Sequence, residues 1–388
     1  MRIAVVHHWF VTRGGGERVA ECIAALFPGA EIFTLLARPE GLPETLQERA
    51  VHTSFLQRIP GATGRHRHLL PLYPAAVEHL DLRGFDLVLS SDSGPVKGVR
   101  LSAGAVQICY CHSPMRYLWD GFESYRASMG PVTRAAFTAT AGRVREWDLE
   151  AARRVTHFVA NSKYVADRIR RCYGREAEVL PPPIDLHRAE GVRGISPGEH
   201  YLCAGRLVPY KRTEILIEAC ARLGRPLRVA GAGPEEPRLR RVARDLGAPV
   251  EFPGELPTEA LWAEYARSRA LLFAADEDFG MVPLEAQACG RPVLAYGCGG
   301  SLETVRAAEH GFTGLYFREQ TAESAADAIR RWERDWEGRF RPEEARAWAA
   351  QFATPLFLER YRALVLRHVP QAEADAISAE EAAARVAR

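Results

Sequence analysis

Lysine is scarce in this sequence. Only Lys97, Lys163 and Lys211 occur, and arginine supplies the other strongly basic side chains. The formal net charge is only +2 over 388 residues, which argues against a general nucleic-acid-binding protein. None of the eight cysteines belongs to a Cys-x-x-Cys pair. We therefore expect reduced thiols rather than a disulfide framework.

Long hydrophobic segments are also missing. No run approaches the roughly 18 continuous apolar residues of a membrane-spanning helix. The apolar segment from Met1 to Phe10 is short and lacks a small-residue cleavage site, so we expect a first β-strand rather than a signal peptide. These absences favour a cytoplasmic protein that meets a membrane, if at all, from its surface.

Short β-branched runs alternate with helical segments along most of the chain. Strands are expected at Ile3 to His8, Asp86 to Ser90, Val106 to Cys111 and His157 to Ala160, and helical patterns follow the first and the last of them. Such runs, bounded by Gly, Ser and Asp, are typical of parallel sheets covered on both faces. The chain length is sufficient for two domains of about 150 residues.

Three consecutive prolines, Pro181 to Pro183, interrupt this alternation and predict a stiff linker. The pattern of strands and helices restarts at Tyr201. The sequence therefore predicts an α/β protein with two Rossmann-like doubly wound domains. Ligands bind such sheets beyond the carboxyl ends of the strands, and we expect the two sheets to face each other across a cleft.

The first candidate site is the glycine run Gly14-Gly15-Gly16, between the first strand and the first helix. Glycines allow close approach of a ligand, and the helix N-terminus that follows attracts anions. The run is not Gly-x-Gly-x-x-Gly, and no acidic residue follows the second strand, so a dinucleotide site is not indicated. A tight loop without a ligand is the alternative.

The second candidate is His112, which follows an apolar strand and precedes Ser113-Pro114. This position predicts a side chain at the carboxyl edge of the sheet. Cys109 and Cys111 precede it, but they share one strand face while His112 lies on the other, which is a poor tetrahedral metal site.

The third candidate is the segment from Gly205 to Arg212, directly after the first strand of the second half. Arg206 and Lys211 lie near the start of a helix, and two cations beside a helix N-terminus form a strong diphosphate site. Two solvated surface charges are the alternative, although the rarity of lysine favours a function for Lys211.

The fourth and most specific candidate contains Glu277 and Glu285, with seven residues between them across a strand-to-helix turn. Gly280 allows an unusual turn, and Pro283 suits the first turn of the helix that follows. Both carboxylates can then face one site, where they accept hydrogen bonds from sugar hydroxyls. The backbone N–H groups from Phe279 to Val282 can hold a phosphate or a hexose.

The stretch EDFGMVPLEAQACGRPV, from Glu277 to Val293, resembles the Glu-x7-Glu signature of retaining glycosyltransferases with the GT-B fold, the GT4 family or glycosyltransferase group 1. The segment GRLVPYKR from Gly205 is similar to the family's diphosphate-binding Arg and Lys. The stretch CHSPMRYLWD from Cys109 further resembles bacterial mannosyltransferases of the WbaZ type. The resemblance spans residues 1 to 365.

This resemblance implies a role for each candidate residue. Arg206 and Lys211 would neutralise the leaving diphosphate, Glu285 would bind the ribose, and Glu277 and His112 would bind the transferred sugar. The implied catalytic set is His112, Glu277, Arg206 and Lys211. The implied donor-binding set is Gly15, Gly16, Arg206, Lys211, Leu256, Glu277, Phe279, Gly280, Met281, Val282 and Glu285, with the base near Leu256. Neither a cofactor nor a metal ion is implied, and retention of configuration at the anomeric carbon is expected.

The implied organisation has five parts. Residues 1–180 form an acceptor-binding domain, 181–198 a linker, 199–340 a nucleotide-sugar-binding domain, 341–366 helices that cross back to the first domain, and 367–388 a polar tail. The expected reaction transfers a hexose to a glycan or lipid-linked acceptor. The first choice of donor is GDP-mannose, from which mannose would be transferred.

The basic residues Arg58, Arg65 and Arg67 precede an apolar stretch and predict contact with an anionic membrane surface, such as the inner face of the cytoplasmic membrane. A solvated charge cluster is the alternative. Three other functions stay open: a nucleotide-sugar epimerase with the same fold, a non-catalytic nucleotide-sugar-binding protein and, least favoured, an NAD-dependent oxidoreductase, whose fingerprint is missing.

Overall fold

The computed structural model describes residues 1–127, 129–307 and 312–387, without the side chains of residues 66–68 and 124. The chain forms two compact units. Unit 1 contains Met1–Pro183 and Thr354–Arg388, and unit 2 contains Ile184–Ala353. Within the described ranges, no helix is both long and apolar enough to cross a membrane.

The strands of unit 1 are β1 (Ile3–His7), β2 (Glu31–Thr34), β3 (Val51–Thr53), β4 (Asp81–Leu82), β5 (Leu87–Asp92), β6 (Arg100–Leu101), β7 (Val106–Cys111), β8 (His157–Ala160) and β9 (Ala177–Val179). In the described residues, seven of them form one parallel sheet in the order β3-β2-β1-β5-β7-β8-β9. Strands β4 and β6 form a separate parallel pair.

Alternating side chains of β1 enter two different cores. Ile3 and Val5 pack in one apolar cluster, whereas Ala4 and Val6 pack in another on the opposite face of the sheet. The sheet is therefore buried on both faces, which explains why its strands are continuously apolar rather than alternating with polar residues.

The helices of unit 1 are α1 (Gly15–Leu26), α2 (Glu44–Gln47), α3 (Ala62–Arg65), α4 (Tyr73–Glu78), α5 (Phe122–Ala127), α6 (Pro131–Arg154), α7 (Lys163–Tyr173) and, after the chain has passed through unit 2, α16 (Thr354–His368) and α17 (Ala379–Val386). Short 3₁₀ helices lie at Pro39–Gly41, Phe55–Arg58, His66–Leu72, Val96–Gly98 and Pro370–Asp375.

The C-terminal segment corrects the prediction of a polar tail at 367–388. Ala382 and Val386 on α17 are buried in the same apolar cluster as α1. The backbone N–H of Ile377 donates to the carbonyl oxygen of Leu26, 2.9 Å away, and Arg18 donates to the carbonyl oxygen of Val386. Small alanine side chains allow this helix to pack closely, so its composition conceals a buried face.

The strands of unit 2 are β10 (Tyr201–Ala204), β11 (Leu227–Ala230), β12 (Val250–Gly254), β13 (Leu271–Phe273), β14 (Val293–Tyr296) and β15 (Gly314–Phe317). They form a parallel sheet in the order β12-β11-β10-β13-β14-β15. Its two faces bury separate clusters, since Tyr201 belongs to one and Leu202 to the other.

The helices of unit 2 are α8 (Leu186–Glu190), α9 (Thr213–Leu223), α10 (Glu236–Asp245), α11 (Thr258–Arg267), α12 (Met281–Ala288), α13 (Ser301–Thr304), α14 (Ala322–Arg331) and α15 (Pro342–Ala349). Short 3₁₀ helices lie at Pro209–Lys211, Glu337–Arg339 and Ala350–Phe352, and a π-helical turn lies at Trp332–Trp336.

The two parallel sheets confirm the predicted α/β class. The division between the units falls after Pro183, and the segment 184–198 belongs to unit 2, where it contains α8. The helices expected at 341–366 are divided, because α15 belongs to unit 2 and α16 to unit 1. That the carboxyl edges of the two sheets share a cleft stays a prediction.

Candidate functional site

Polar side chains lie at the carboxyl ends of four neighbouring strands in unit 1. His7 ends β1, Ser91 lies near the end of β5, His112 follows β7 and Asn161 follows β8. Nε2 of His112 lies 2.8 Å from Oγ of Ser91, and Nδ2 of Asn161 donates to the carbonyl oxygen of His112 at 3.0 Å. The predicted position of His112 at the sheet edge is thus explained by side-chain as well as backbone contacts.

Burial controls the protonation of this histidine pair. Burial lowers the pKa of His112 to about 4. Burial also lowers the pKa of His7 well below its ordinary value, and the neighbouring His8 and His112 add to this effect. Both imidazoles are therefore neutral near pH 7, and they act as hydrogen-bonding groups rather than as cations.

The glycine run contacts the same strand ends. Gly14 is the extended N-cap of α1, and a Cβ atom on Gly16 would lie 3.5 Å from Cε1 of His7 and 3.7 Å from Nε2 of His112. A Cβ atom at Gly16 would therefore be in van der Waals contact with both imidazoles. The run brings backbone close to His112, and contact of this loop with a ligand stays a prediction.

Glu17 was not singled out from the sequence, although it changes the chemistry of this loop. Its carboxylate lies at the N-terminus of α1, only 8% of the residue is exposed, and burial raises the pKa of the carboxyl to about 7. Backbone N–H groups of Glu17 and Gly14 oppose that shift. Glu17 lies three residues after the N-cap Gly14, which is the position of the acidic member of a capping box.

A buried ion cluster supports the strand that carries Ser91. Nζ of Lys97 lies 3.2 Å from Oδ2 of Asp92 and 2.6 Å from Oδ1 of Asp148, and all three side chains are fully buried. The carbonyl oxygen of Asp92 accepts a hydrogen bond from the backbone N–H of His112 at 2.7 Å. The cluster therefore connects the packing of α6 to the two strand ends at the candidate site.

In unit 2, the loop after β10 passes so close to Gly231 and Gly233 that a side chain at either position would collide with its backbone. Gly205 has φ +126°, and a Cβ atom on Gly231 or Gly233 would collide with the carbonyl oxygen of Gly205 or Leu207. The next helix, α9, begins after Arg212, a non-glycine residue with φ +52°. This left-handed conformation is uncommon away from glycine and is often associated with functional loops.

Lys211 forms a direct ion pair with Glu277, which follows the neighbouring strand β13. The two side chains are 13% and 17% exposed, so water screens the pair only in part. Burial acts to lower the pKa of Lys211, but the charge of Glu277 and the hydrogen bond to it outweigh burial, and the pKa is raised. Arg206 is exposed beside this pair and, in the described part of the chain, makes no ion pair.

The turn between Glu277 and Glu285 has the geometry expected from the sequence. Gly280 has φ +88° and is the N-cap of α12, whose third residue is Pro283. The hydroxyl of Tyr265 donates to Oε2 of Glu285 at 2.7 Å. Burial raises the pKa of Glu285, and the Tyr265 hydrogen bond opposes that effect.

The remaining predicted donor-site residues differ in how far their side chains are buried. Met281 and Val282 are half-buried in the first turn of α12, whereas the Phe279 ring is buried against Phe352. A ligand can therefore contact the backbone of Phe279, whereas contact with its ring would require the ring to move away from Phe352. Leu256 is half-buried after Gly254, which ends β12 with φ +80°.

The structure thus groups the predicted residues within their units. Gly16 and His112 lie together in unit 1. Lys211, Glu277 and Glu285 lie together in unit 2, where the charge of Lys211 opposes the rise that burial causes in the pKa of Glu285. Arg58 and Arg65 are exposed on unit 1. The side chain of Arg67 lies outside the described residues.

The cysteines that precede His112 have a structural role. Cys109 and Cys111 are buried in β7, and burial raises the pKa of both thiols. Across the residues with described positions, no group of three or more His, Cys, Asp or Glu side chains could hold a metal ion.

Sequence reasoning missed several residues of these groups. A polar residue at the end of an apolar strand was the available signal for Ser91, and a glutamate three residues after Gly14 was the signal for the helix cap. Tyr265 lies 20 residues before Glu285 and has no local signal.

Two family models match the chain. The model "Glycosyltransferase Family 4" matches residues 13–188, and the model "Glycosyl transferases group 1" matches residues 194–349. A D-inositol 3-phosphate glycosyltransferase of Nocardia farcinica is 35% identical over 44% of this chain and 44% of its own. A GDP-mannose-dependent α-(1-6)-phosphatidylinositol monomannoside mannosyltransferase of Mycobacterium tuberculosis is 30% identical over 55% of this chain and 65% of its own.

The chain spans about half of the length of these curated relatives.

Among solved structures, Anabaena HepE in complex with UDP and glucose has a TM-score of 0.68 at 20% identity, covering 95% of this chain and 100% of the other. The lipopolysaccharide outer core galactosyltransferase WaaB has a TM-score of 0.64 at 17% identity, with the same coverage. These likenesses show the GT-B glycosyltransferase fold.

Proposed function

Because the chain belongs to glycosyltransferase family 4, we propose that it transfers a hexose from a nucleotide diphosphate sugar to a glycan or lipid-linked acceptor, with retention at the anomeric carbon. The observation that carries this proposal is the arrangement in unit 2. Lys211 contacts Glu277, and Glu285 is held by Tyr265, where β10, β13 and α12 bring cationic and carboxylate groups together. In the reaction, the bond from C1 to the diphosphate breaks, a bond from C1 to the acceptor oxygen forms, and the acceptor hydroxyl gives its proton to the departing diphosphate.

The diphosphate is proposed to bind Arg206 and Lys211. Negative charge grows on the diphosphate as the bond to the sugar breaks, so cations placed in advance stabilise the transition state more than the ground state. Exposed Arg206 is available for a bidentate contact, while Lys211 would exchange part of its pairing with Glu277 for the phosphate oxygens.

The two glutamates are proposed to bind different parts of the donor. Glu285 has one oxygen committed to Tyr265, and its other oxygen can accept hydrogen bonds from ribose hydroxyls. Glu277, directly beside Lys211, is suited to the hydroxyls of the transferred sugar. The backbone N–H groups of Gly280, Met281 and Val282 lie between the two carboxylates along the chain and face incoming anions at the start of α12.

His112 and the Gly15-Gly16 loop are proposed to contact the sugar and the acceptor. A phosphate at this loop is disfavoured because the Glu17 carboxylate already approaches the first N–H groups of α1. A hydroxyl-bearing acceptor suits the loop better, since hydroxyls can donate to this carboxylate and to the carbonyl groups nearby.

GDP-mannose is the proposed donor, with the base placed near Leu256. The support is the similarity to relatives named GDP-mannose-dependent, at 30% identity over 253 residues. UDP-sugars are the competing donors. The transfer is proposed to need no metal ion because Arg206 and Lys211 supply cationic charge. Prolonged treatment with EDTA should then leave the rate unchanged, and a loss that Mg²⁺ or Mn²⁺ restores would contradict this.

A peripheral membrane contact is proposed for the exposed Arg58 and Arg65 on unit 1. Cations near an anionic bilayer each contribute about 1 kcal/mol to binding. Arg58→Glu with Arg65→Glu should abolish sedimentation with vesicles rich in phosphatidylglycerol. Unchanged sedimentation, or none by the parent protein, would remove this part of the proposal.

Thermal unfolding with a panel of nucleotide diphosphates and nucleotide sugars tests the proposed function. A ligand at 100 times its Kd stabilises the folded protein by about 2.7 kcal/mol. We expect GDP and GDP-mannose to raise the Tm of the parent protein but not that of Lys211→Ala. Arg222→Ala, which removes an exposed cation at the far end of α9, is the matched control. A shift with UDP compounds alone would replace the donor, and no shift with any nucleotide would contradict the function.

A further inference from the structure

A continuous hydrogen-bonded chain joins three strand ends in unit 1. Nδ1 of His7 lies 3.0 Å from the backbone carbonyl oxygen of Ser91 and 3.1 Å from its Oγ. The same Oγ lies 2.8 Å from Nε2 of His112. His7 is fully buried, and Ser91 is fully buried as well. The carbonyl oxygen of Ser91 fixes the donor in the first contact, and the distances around the Ser91 hydroxyl favour one direction in the second.

The His7 tautomer is set first. A carbonyl oxygen can only accept a hydrogen bond, so the nitrogen that approaches the Ser91 carbonyl must carry the proton. Because burial keeps His7 neutral, its proton lies on Nδ1, and Nε2 bears a lone pair. His7 therefore donates to Ser91, and the Ser91 hydroxyl does not need to use its own proton toward His7.

The Ser91 hydroxyl then has two acceptors within reach. Nε2 of His112 lies at 2.8 Å, whereas the carbonyl oxygen of Gly16 lies at 3.4 Å. The shorter contact is close to the usual length of a hydroxyl hydrogen bond, and the longer one is beyond it. A hydroxyl proton directed to Nε2 of His112 uses the shorter of these two contacts, and Nε2 then accepts it with a lone pair.

We propose that Ser91 is a positioning residue that holds His112 in the tautomer protonated at Nδ1, so that His112 donates a hydrogen bond from Nδ1 to an oxygen of the transferred sugar. The contact with the sugar rests on the proposed function, whereas the tautomer rests on the protein alone. Asn161 fixes the other end of the residue through the His112 carbonyl oxygen. The ring and the backbone of His112 are thus both held before a ligand arrives.

The tautomer can be measured without any substrate. In the full chain labelled with ¹⁵N-histidine, protonated and unprotonated ring nitrogens differ widely in chemical shift. We expect the signals that disappear in His112→Asn to show a protonated Nδ1 and an unprotonated Nε2 at pH 7.5. Ser91→Ala should shift these signals toward a mixture of tautomers. Ser90→Ala, the same change one residue earlier on β5, should leave them in place.

Kinetics test the consequence for transfer. The amide nitrogen of asparagine can take the place of Nδ1, and that of glutamine the place of Nε2. His112→Asn should therefore keep a kcat about tenfold higher than His112→Gln, the effect of roughly one hydrogen bond. Ser91→Ala should lower kcat by a similar factor in the parent protein, but by less than twofold in His112→Asn, which has no Nε2 to be held.

The outcomes distinguish the tautomer of His112 from its contact with the sugar. Protonation at Nε2, or a His112 spectrum unchanged by Ser91→Ala, overturns the positioning role whatever the activity is. Equal or higher activity of His112→Gln overturns the donation from Nδ1. A parent protein that transfers no sugar from any nucleotide donor would count against the proposed function, while the NMR result would still decide the tautomer.

Discussion

Lys211 and Glu277 form an ion pair across two neighbouring strands of unit 2, with each side chain less than one-fifth exposed. The charge of Glu277 and its hydrogen bond to Lys211 hold the pKa of Lys211 above its ordinary value despite burial. A diphosphate would compete with Glu277 for Lys211, and a sugar hydroxyl would compete with Lys211 for Glu277. Binding of a nucleotide sugar can satisfy both residues at once, whereas a free sugar or a free diphosphate satisfies one of them.

Replacing Lys211 should reduce transfer more than it reduces stability. Lys211→Ala removes the charge next to the leaving diphosphate, and loss of one such group costs about 100-fold or more in kcat. The measurement is initial-rate kinetics with GDP-mannose at saturation, with circular dichroism to confirm folding. Arg222→Ala should keep the parent rate. A Lys211→Ala enzyme within threefold of the parent would contradict the assigned role.

Tyr265→Phe should weaken nucleotide binding through the ribose. The change leaves the ring in place but frees Oε2 of Glu285, so the carboxylate loses its orientation. The Kd for GDP should rise about tenfold, within the range of one hydrogen bond to a charged group. Isothermal titration calorimetry measures it.

The control for Tyr265→Phe is a nucleotide that lacks the ribose hydroxyls, used with the same two proteins. With 2′,3′-dideoxy-GDP, which offers no ribose hydroxyl to Glu285, Tyr265→Phe and the parent protein should bind equally. An equal loss for both nucleotides would mean that Tyr265 acts through general packing of α11 and not through ribose recognition.

The stability of unit 1 should depend on pH through Glu17. Its folded pKa of about 7 lies above the ordinary value of 4.5, so the unfolded chain releases this proton first as pH rises. The stability that the protonated form contributes is complete below about pH 4.5 and is lost as pH rises through 7. Linkage puts the whole loss at roughly 3 kcal/mol.

Glu17→Gln tests this sign directly, since glutamine keeps the size of the side chain and stays neutral. Urea unfolding at pH 5 and pH 8 should show a variant that gains stability relative to the parent at the higher pH. Glu40→Gln, on an exposed 3₁₀ helix of the same unit, is the matched control and should show no such trend. A difference between Glu17→Gln and parent that is independent of pH would contradict the raised pKa.

The α/β class and much of the unit 2 site could be predicted because their signals are local. Short apolar strands mark the sheets, and the spacing from Glu277 to Glu285 contains its own turn residues. Gly280 has the positive φ that this turn needs. The ion pair between Lys211 and Glu277 could not be predicted in the same way, since it joins residues that only the strand order makes neighbours.

The wrong prediction of a polar tail has its physical origin in composition. Residues 367–388 are rich in Ala, Glu and Arg, which suggests a solvated segment, yet α17 buries Ala382 and Val386 against unit 1. The available signal was Ser378, whose hydroxyl accepts from the backbone N–H of Glu381 in a helix cap. A cap indicates a helix but not its partner, so the packing itself needed the structure.

Loss of Lys97 should destabilise unit 1 itself. This lysine lies between the buried carboxylates of Asp92 and Asp148, and its ammonium group also donates to the carbonyl oxygen of Gly94 at 2.7 Å. Lys97→Met keeps the length of the side chain but leaves two carboxylates without a cation. Removing one partner of a buried ion pair costs about 3–5 kcal/mol. Urea unfolding of the full chain measures the loss, and Lys163→Met, on the exposed start of α7, is the control.

A second substitution separates the charge from the packing at this position. Burial raises the pKa of Asp92, and Lys97 opposes that shift, so Asp92 should take up a proton more readily once the ammonium group is gone. Asp92→Asn combined with Lys97→Met should therefore recover part of the lost stability, because one buried charge is removed. If the double variant is no more stable than Lys97→Met, the cost lies in the hydrogen bonds that Asp92 accepts from Gly94 and Val96 and not in unpaired charge.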